Sequence, residues 1–87
     1  LILNWIHLTT SGQTGTAGAN TMLGTVNCNT AAASAVLTIY NGTSASGTVV
    51  AVIDCSRVGS HWYGVRLPAG LYYALSGGNA DVTLGIS

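Results

Sequence analysis

Six side chains in this sequence are Asp, His or Cys, the commonest general acids and bases and metal ligands: Asp54, Asp81, His7, His61, Cys28 and Cys55. Asp54 and Asp81 are its only carboxylate side chains. A carboxylate pair is the minimum for glycosidase-type acid–base work, and it needs a defined separation across a cleft. Each Asp stands at the end of a strand-like run, where Asp ordinarily serves a turn. His7 or His61 with a Ser and an Asp would make a nucleophilic triad only if the fold brought them into hydrogen-bond reach. No local motif joins them. The two Cys and two His form a nominal Cys2His2 set, but zinc ligands come in pairs roughly two to four residues apart. Here the cysteines are 27 residues apart and the histidines 54. No catalytic, cofactor-binding or metal-binding residue is therefore expected, and the chain reads as a non-enzyme.

The cysteines raise a separate question. Cys28 follows the second strand-like run and Cys55 the fourth. In a simple meander those strands lie two spacings apart, ~9.6 Å, and a disulfide wants its Cα atoms within ~7 Å. Free thiols behaving as small buried hydrophobes are the expectation. It fails only if the second and fourth strands belong to different sheets.

The elements that would position these residues are all extended. Strands are expected at 1–8, 21–28, 35–41, 48–54, 61–67, 71–76 and 81–87. They are rich in Val, Ile, Leu, Tyr and Trp and are separated by Gly, Asn, Ser and Thr, the composition of pleated surfaces and turns. No stretch keeps a 3.6-residue apolar period; residues 30–37 have length for a helical turn at most. Seven short strands at this spacing predict an all-β fold, a small antiparallel β-sandwich or jelly roll. The 87 residues make a single domain, 1–87. Residues 9–20 are polar and Gly/Thr-rich, read as a flexible loop. The apolar opening, Leu1 to Leu8, has no basic flank or small-residue cleavage site and reads as a strand rather than a signal peptide. No apolar run approaches the ~20 residues of a membrane-spanning helix.

Two hairpins follow from the turn chemistry. Pro68 suits position i+1 of a type I turn and Gly70 the left-handed position after it. This pairs Leu67 with Leu71, Val65 with Tyr73 and Tyr63 with Leu75, all apolar or aromatic, as the core face. Trp62, Arg66 and Tyr72 then share the opposite face. The second hairpin joins 35–41 to 48–54 through the loop 42–47. Symmetric pairing sets Leu37, Ile39, Val50 and Val52 on one face, with Val36, Thr38, Tyr40, Val49, Ala51 and Ile53 on the other. Neither face is polar, so both call for cover. Asn41-Gly42-Thr43 matches a glycosylation acceptor, but Asn-Gly is also the ordinary opening of a hairpin loop. The last strand alternates, with Val82, Leu84 and Ile86 inward and Asp81, Thr83, Gly85 and Ser87 outward.

Charge is the strongest global signal. The chain has two Arg, two Asp and no Lys or Glu, 5% charged in all, against about 25% for an ordinary soluble domain. Net charge near zero with few charges favours association. Two isolated Arg cannot make a phosphate-binding surface, so no nucleic-acid partner is expected, and no membrane-surface role either. Much of the surface is expected to be covered by copies of the chain or by a larger assembly. Trp62, Arg66 and Tyr72, of the types enriched in interface hot spots, are the expected protein interface.

Three segments, LTIYNGTSASGTVVAVID (37–54), YGVRLPAG (63–70) and GLYYALSGGNADVTL (70–84), resemble small tailed-phage and prophage virion structural proteins. In that group a strand ending in Tyr-Asn or Tyr-Asp leads into a Thr-Ser-Ala-Ser-Gly-Thr loop. A further strand ends in Ile-Asp, and the chain closes with Gly-Leu, Ser-Gly and Ala-Asp-Val-Thr. The resemblance covers roughly the C-terminal half to two-thirds of the chain. It implies a β-sandwich or jelly roll on a virion, as a capsid decoration (cement) or fibre-base element, and carries over no catalytic residue. The expected function is a non-enzymatic decoration subunit on the capsid surface, assembled in the host cytoplasm. Its expected partners are itself, as a homotrimer, and the major capsid protein. An adhesin or lectin-like module on a phage fibre, and a subunit of an extracellular filament, are the alternatives.

Overall fold

The structure is a computed structural model and describes residues 4–14 and 21–87. The described residues form eight strands: β1 (Asn4–Leu8), β2 (Gly12–Thr14), β3 (Thr21–Thr30), β4 (Val36–Asn41), β5 (Thr48–Asp54), β6 (Gly59–Leu67), β7 (Leu71–Ser76) and β8 (Asp81–Ile86). The all-β sandwich expected from composition is what forms. Seven of the strands match the expected runs closely. The eighth, β2, lies within the segment read as a flexible loop; residues 1–3 and 15–20 lie outside the described residues. Residues 30–37 form no helical turn: they end β3, make a turn and begin β4, with Ser34 at a φ of 63°.

The topology follows from one long folded ribbon. β1 pairs β8, β2 pairs β7, β3 pairs β6 and β4 pairs β5, all antiparallel. Only β4–β5 is a hairpin in the local sense. Rolling the ribbon brings β8 beside β3 and β7 beside β4. The result is two four-stranded sheets, ordered β1-β8-β3-β6 and β2-β7-β4-β5. This is the order of an eight-stranded jelly roll.

The roll overturns one expected hairpin and shifts the other. β6 and β7 are joined by the Pro68 turn, closed by Gly70 N–H donating to Leu67 O at 3.3 Å with Gly70 at a φ of 108°. The turn chemistry is as expected, but the turn carries the chain from one sheet to the other. Leu67 pairs Thr21, not Leu71, and Tyr73 pairs Ile39, not Val65. The reason is topological: a turn can hand a strand to the facing sheet as readily as to its own neighbour. In β4–β5, Leu37 pairs Ile53 and Ile39 pairs Ala51. The inward set is therefore Leu37, Ile39, Ala51 and Ile53, and Val52 points out. A register shift next to Tyr40 leaves Val50 as an extra residue, which turns Val49 outward beside Tyr40.

The core lies between the sheets. Leu8, Leu23, Val26, Leu67, Val82 and Leu84 come from the first sheet and Leu37, Ile39, Ala51, Ile53 and Leu71 from the second; all are buried. Tyr63, Val65, Tyr73 and Leu75 pack against its margin. The six core residues expected of the supposed hairpin are thus on the inside, but they meet across the interior rather than as ladder neighbours. β8 alternates as expected, with Val82 and Leu84 fully buried.

Candidate functional site

Among the described residues no pocket opens on the surface, so any site is a face. Cross-strand partners share a face, and the registers therefore give both outer faces directly.

On the first sheet one row runs Trp5, Gly85, Thr25, Trp62. The next runs His7, Thr83, Asn27, Ser60. The two Trp are the most exposed aromatics of the chain, 73% for Trp5 and 63% for Trp62. They stand at opposite edges of the sheet, three strand spacings or roughly 14 Å apart. The Trp62 indole leans along β6 over Gly64, where an added Cβ would fall 3.2 Å from its Cζ2 and Nε1. Gly64 has a φ of 63° and stands in a bulge opposite the register shift at Leu23/Thr25. The missing side chain makes room for the ring.

Beside these rows lies a polar cluster. His7 Nε2 is 2.8 Å from Asp81 Oδ1. Asn29 Nδ2 donates to Asp81 Oδ1 at 3.0 Å and to Thr83 Oγ1 at 2.8 Å. These bonds, Asn29 first and His7 second, hold the Asp81 carboxyl below the ordinary Asp value. Because both donors converge on one carboxylate oxygen, the cluster fixes β1, β3 and β8 to one another on this face.

The second sheet is different in kind. Its outer rows are Tyr72, Tyr40, Val49; Ala74, Thr38, Val52; and Ser76, Val36, Asp54. Tyr40 and Tyr72 meet at a ring separation of 5.9 Å, tilted by 52°. Val49 and Val52 are 53% and 64% exposed. The only charge in these rows is Asp54, at one end, and its carboxyl is occupied. Ser56 donates to Asp54 Oδ1 through its hydroxyl at 2.5 Å and its N–H at 2.9 Å, and these bonds lower the Asp54 pKa.

The expected interface trio does not share a face. Trp62 and Arg66 are exposed on β6 of the first sheet, and Arg66 lies opposite Met22. Tyr72 is on β7 of the second sheet. The trio rested on the β6–β7 hairpin, and it separates with that hairpin. Trp5 takes the place of Tyr72 as the partner of Trp62. Its outward position was legible, since Leu8 and Ile6 inward leave His7 and Trp5 outward.

The titratable residues are distributed in the same way. Asp54 and Asp81 belong to different sheets, so they form no carboxylate pair. His7 and His61 are exposed, while Cys28 and Cys55 are in the core. Among the described residues no group of three or more His, Cys, Asp or Glu is placed to hold a metal. Asn41 Oδ1 accepts the Ala69 N–H at 2.9 Å, so this Asn has a structural role and ties the end of β4 to the turn at Pro68.

The comparisons with known proteins give no further constraint. No family model, curated protein or solved structure matches this chain.

Proposed function

We propose that this chain is a non-enzymatic virion structural protein, a capsid decoration or cement subunit of a tailed phage. It stabilises the particle by packing on the major capsid protein and on copies of itself. The observation that carries this reading is the outer face of the second sheet. Val36, Tyr40, Val49, Val52, Tyr72 and Ala74 lie on it around Thr38, with Ser76 and Asp54 together at one end and Gln13 paired with Tyr72 at the β2 edge. Natural antiparallel sheets with one solvated face present polar residues there. A contiguous apolar face on a chain with 5% charged residues is what an assembly surface looks like. The jelly-roll order supports the reading as a scaffold used widely in capsids, an argument from fold and not from chemistry. The resemblance of the 37–84 segments to phage structural proteins points the same way.

Sedimentation of the purified chain at micromolar concentration tests it. A closed oligomer, a trimer first, is the expected result. A monodisperse monomer of 8.8 kDa that stays soluble would overturn it, and open-ended polymerisation would favour a filament subunit instead.

One observation favours the adhesin or lectin-like alternative: the row with a Trp at each end and small residues, Gly85 and Thr25, between them. A flat strip flanked by exposed indoles and edged by Asn27, Asn29, His7 and Asp81 offers stacking and hydrogen bonding to a glycan chain. A glycan array with the wild type and with Trp5→Ala/Trp62→Ala reads this directly. Binding lost in the double variant would establish the module, and an array without signal would remove it.

A further inference from the structure

One buried contact between the two sheets is made by sulfur. Cys28 belongs to β3 in the first sheet, and Cys55 follows β5, the edge strand of the second. Their Sγ atoms lie 2.7 Å apart, buried, across 27 residues of chain. Both are free thiols in the structure, as expected, but their strands lie in different sheets, the one arrangement in which they could meet. Inward side chains of facing sheets point at one another, whereas neighbours within a sheet point the same way, so cysteines at one height on facing strands can bring their sulfurs together, as these do.

The backbone at Cys55 is held for this contact. Its N–H donates to Ala35 O at 2.9 Å, and its carbonyl accepts the Ala32 N–H at 3.2 Å. Ala35 N–H closes the turn onto Ala32 O at 3.1 Å. That turn is the continuation of the strand bearing Cys28, so one short segment sets both sulfurs.

We infer that Cys28 and Cys55 form an intrachain disulfide that pins the two sheets of the jelly roll together. The oxidant is a low-molecular-weight disulfide. One cysteine thiolate attacks it and forms a mixed disulfide, releasing one small thiol. The second cysteine thiolate then attacks the protein sulfur, forming the Cys28–Cys55 bond and releasing the other. The two cysteine protons end on the two released thiols, so the protein loses two hydrogens and two electrons and the oxidant gains them. Burial and the neighbouring sulfur push the Cys55 thiol up to about 12, and attack needs the thiolate. The bond is therefore made while the chain is still open, and the closed core then shields it from reducing thiols. A chain that closes its core in a reducing cytoplasm keeps both thiols until it opens in an oxidising medium. The inference stands whether the face of the second sheet binds a capsid or not.

The test is refolding of the denatured chain in a glutathione redox pair and, separately, in excess reductant. Each product is denatured, alkylated with iodoacetamide and weighed. The oxidatively refolded chain is expected to be lighter by two hydrogens and to take no label. The reduced chain is expected to take two labels. Chymotrypsin, cutting after Tyr40, should yield one cross-linked species containing both cysteines. The bond should raise Tm on the order of 10–20 °C for a loop of this length. Cys28→Ala/Cys55→Ala should abolish the dependence of Tm on reductant even if it folds less stably. Two labels on the oxidatively refolded, β-rich chain would overturn the inference. So would chains linked chiefly to one another, or a wild-type Tm indifferent to reductant.

Discussion

Val52→Lys is the sharpest test of the assembly face. Val52 lies on β5 opposite Thr38, points away from the core and is 64% exposed. In the lone subunit the change should be nearly silent, within about 0.5 kcal/mol, as for an ordinary surface position. In the assembly two costs arise. Burying a Val side chain is worth about 1.5–3 kcal/mol, and that contribution goes. An ammonium without a partner in a desolvated face adds several kcal/mol more. The one nearby carboxylate, Asp54, is already engaged by Ser56. Part of the cost will be relieved by the Lys stem reaching the rim, so a net loss of about 3 kcal/mol is the working figure, roughly a 100-fold weaker association. Sedimentation velocity across a concentration series should show the variant dissociating at concentrations where wild type is assembled. Its circular dichroism and denaturant midpoint should stay unchanged. Trp62→Ala, on the opposite sheet, is the control and should leave the dissociation constant within about threefold. If Val52→Lys assembles like wild type, the second sheet is not the contact. If Trp62→Ala dissociates the oligomer, the contact lies on the first sheet.

Three further outcomes follow from the fold itself. Gly77→Ala places a Cβ 1.9 Å from Ser34 O at a φ of 81°; it should cost at least about 2 kcal/mol in denaturant unfolding. Gly59→Ala, which meets nothing within 4 Å, should be close to neutral, and equal midpoints for the two variants would refute the packing of the β7–β8 turn on Ser34. Leu84→Ala, at a fully buried position, should lose about 2–5 kcal/mol, and a loss below about 1 kcal/mol would contradict a core centred there. Asn29→Ala should raise the Asp81 titration midpoint, followed by NMR, towards the ordinary Asp value. The folded pKa is depressed, so the associated stability is present above about pH 4 and is lost as pH falls through the folded value. An unchanged midpoint would show that Asn29 does not hold the carboxylate.

Local chemistry determined the strands. Alternation in 81–87, β-branched runs at 35–41 and 48–54, and the Pro68–Gly70 turn could be read residue by residue, because strand propensity and turn type depend on a few neighbours. The near absence of charge, the ground for expecting an assembly role, was legible without any fold. Which residues face inward was also largely legible, since parity along a strand survives whatever the strand pairs with. It failed at β5, where an extra residue reverses the face and nothing in Val49-Val50-Ala51 marks the bulge.

Pairing was decided only by the tertiary structure. A turn fixes the angle at which the chain leaves a strand, not the sheet it enters, and the ladder partners of β6 and β7 lie far away in sequence. The same freedom of non-local pairing broke the trio Trp62, Arg66 and Tyr72 across two sheets and put Trp5 in a row with Trp62. It also closed the distance between Cys28 and Cys55. Within one sheet the two side chains would run side by side, two strand spacings apart; from facing sheets they point at each other, and the sulfurs meet. No pattern along the chain distinguishes these cases, because both place each cysteine at the same end of its strand. Only the roll of the ribbon does.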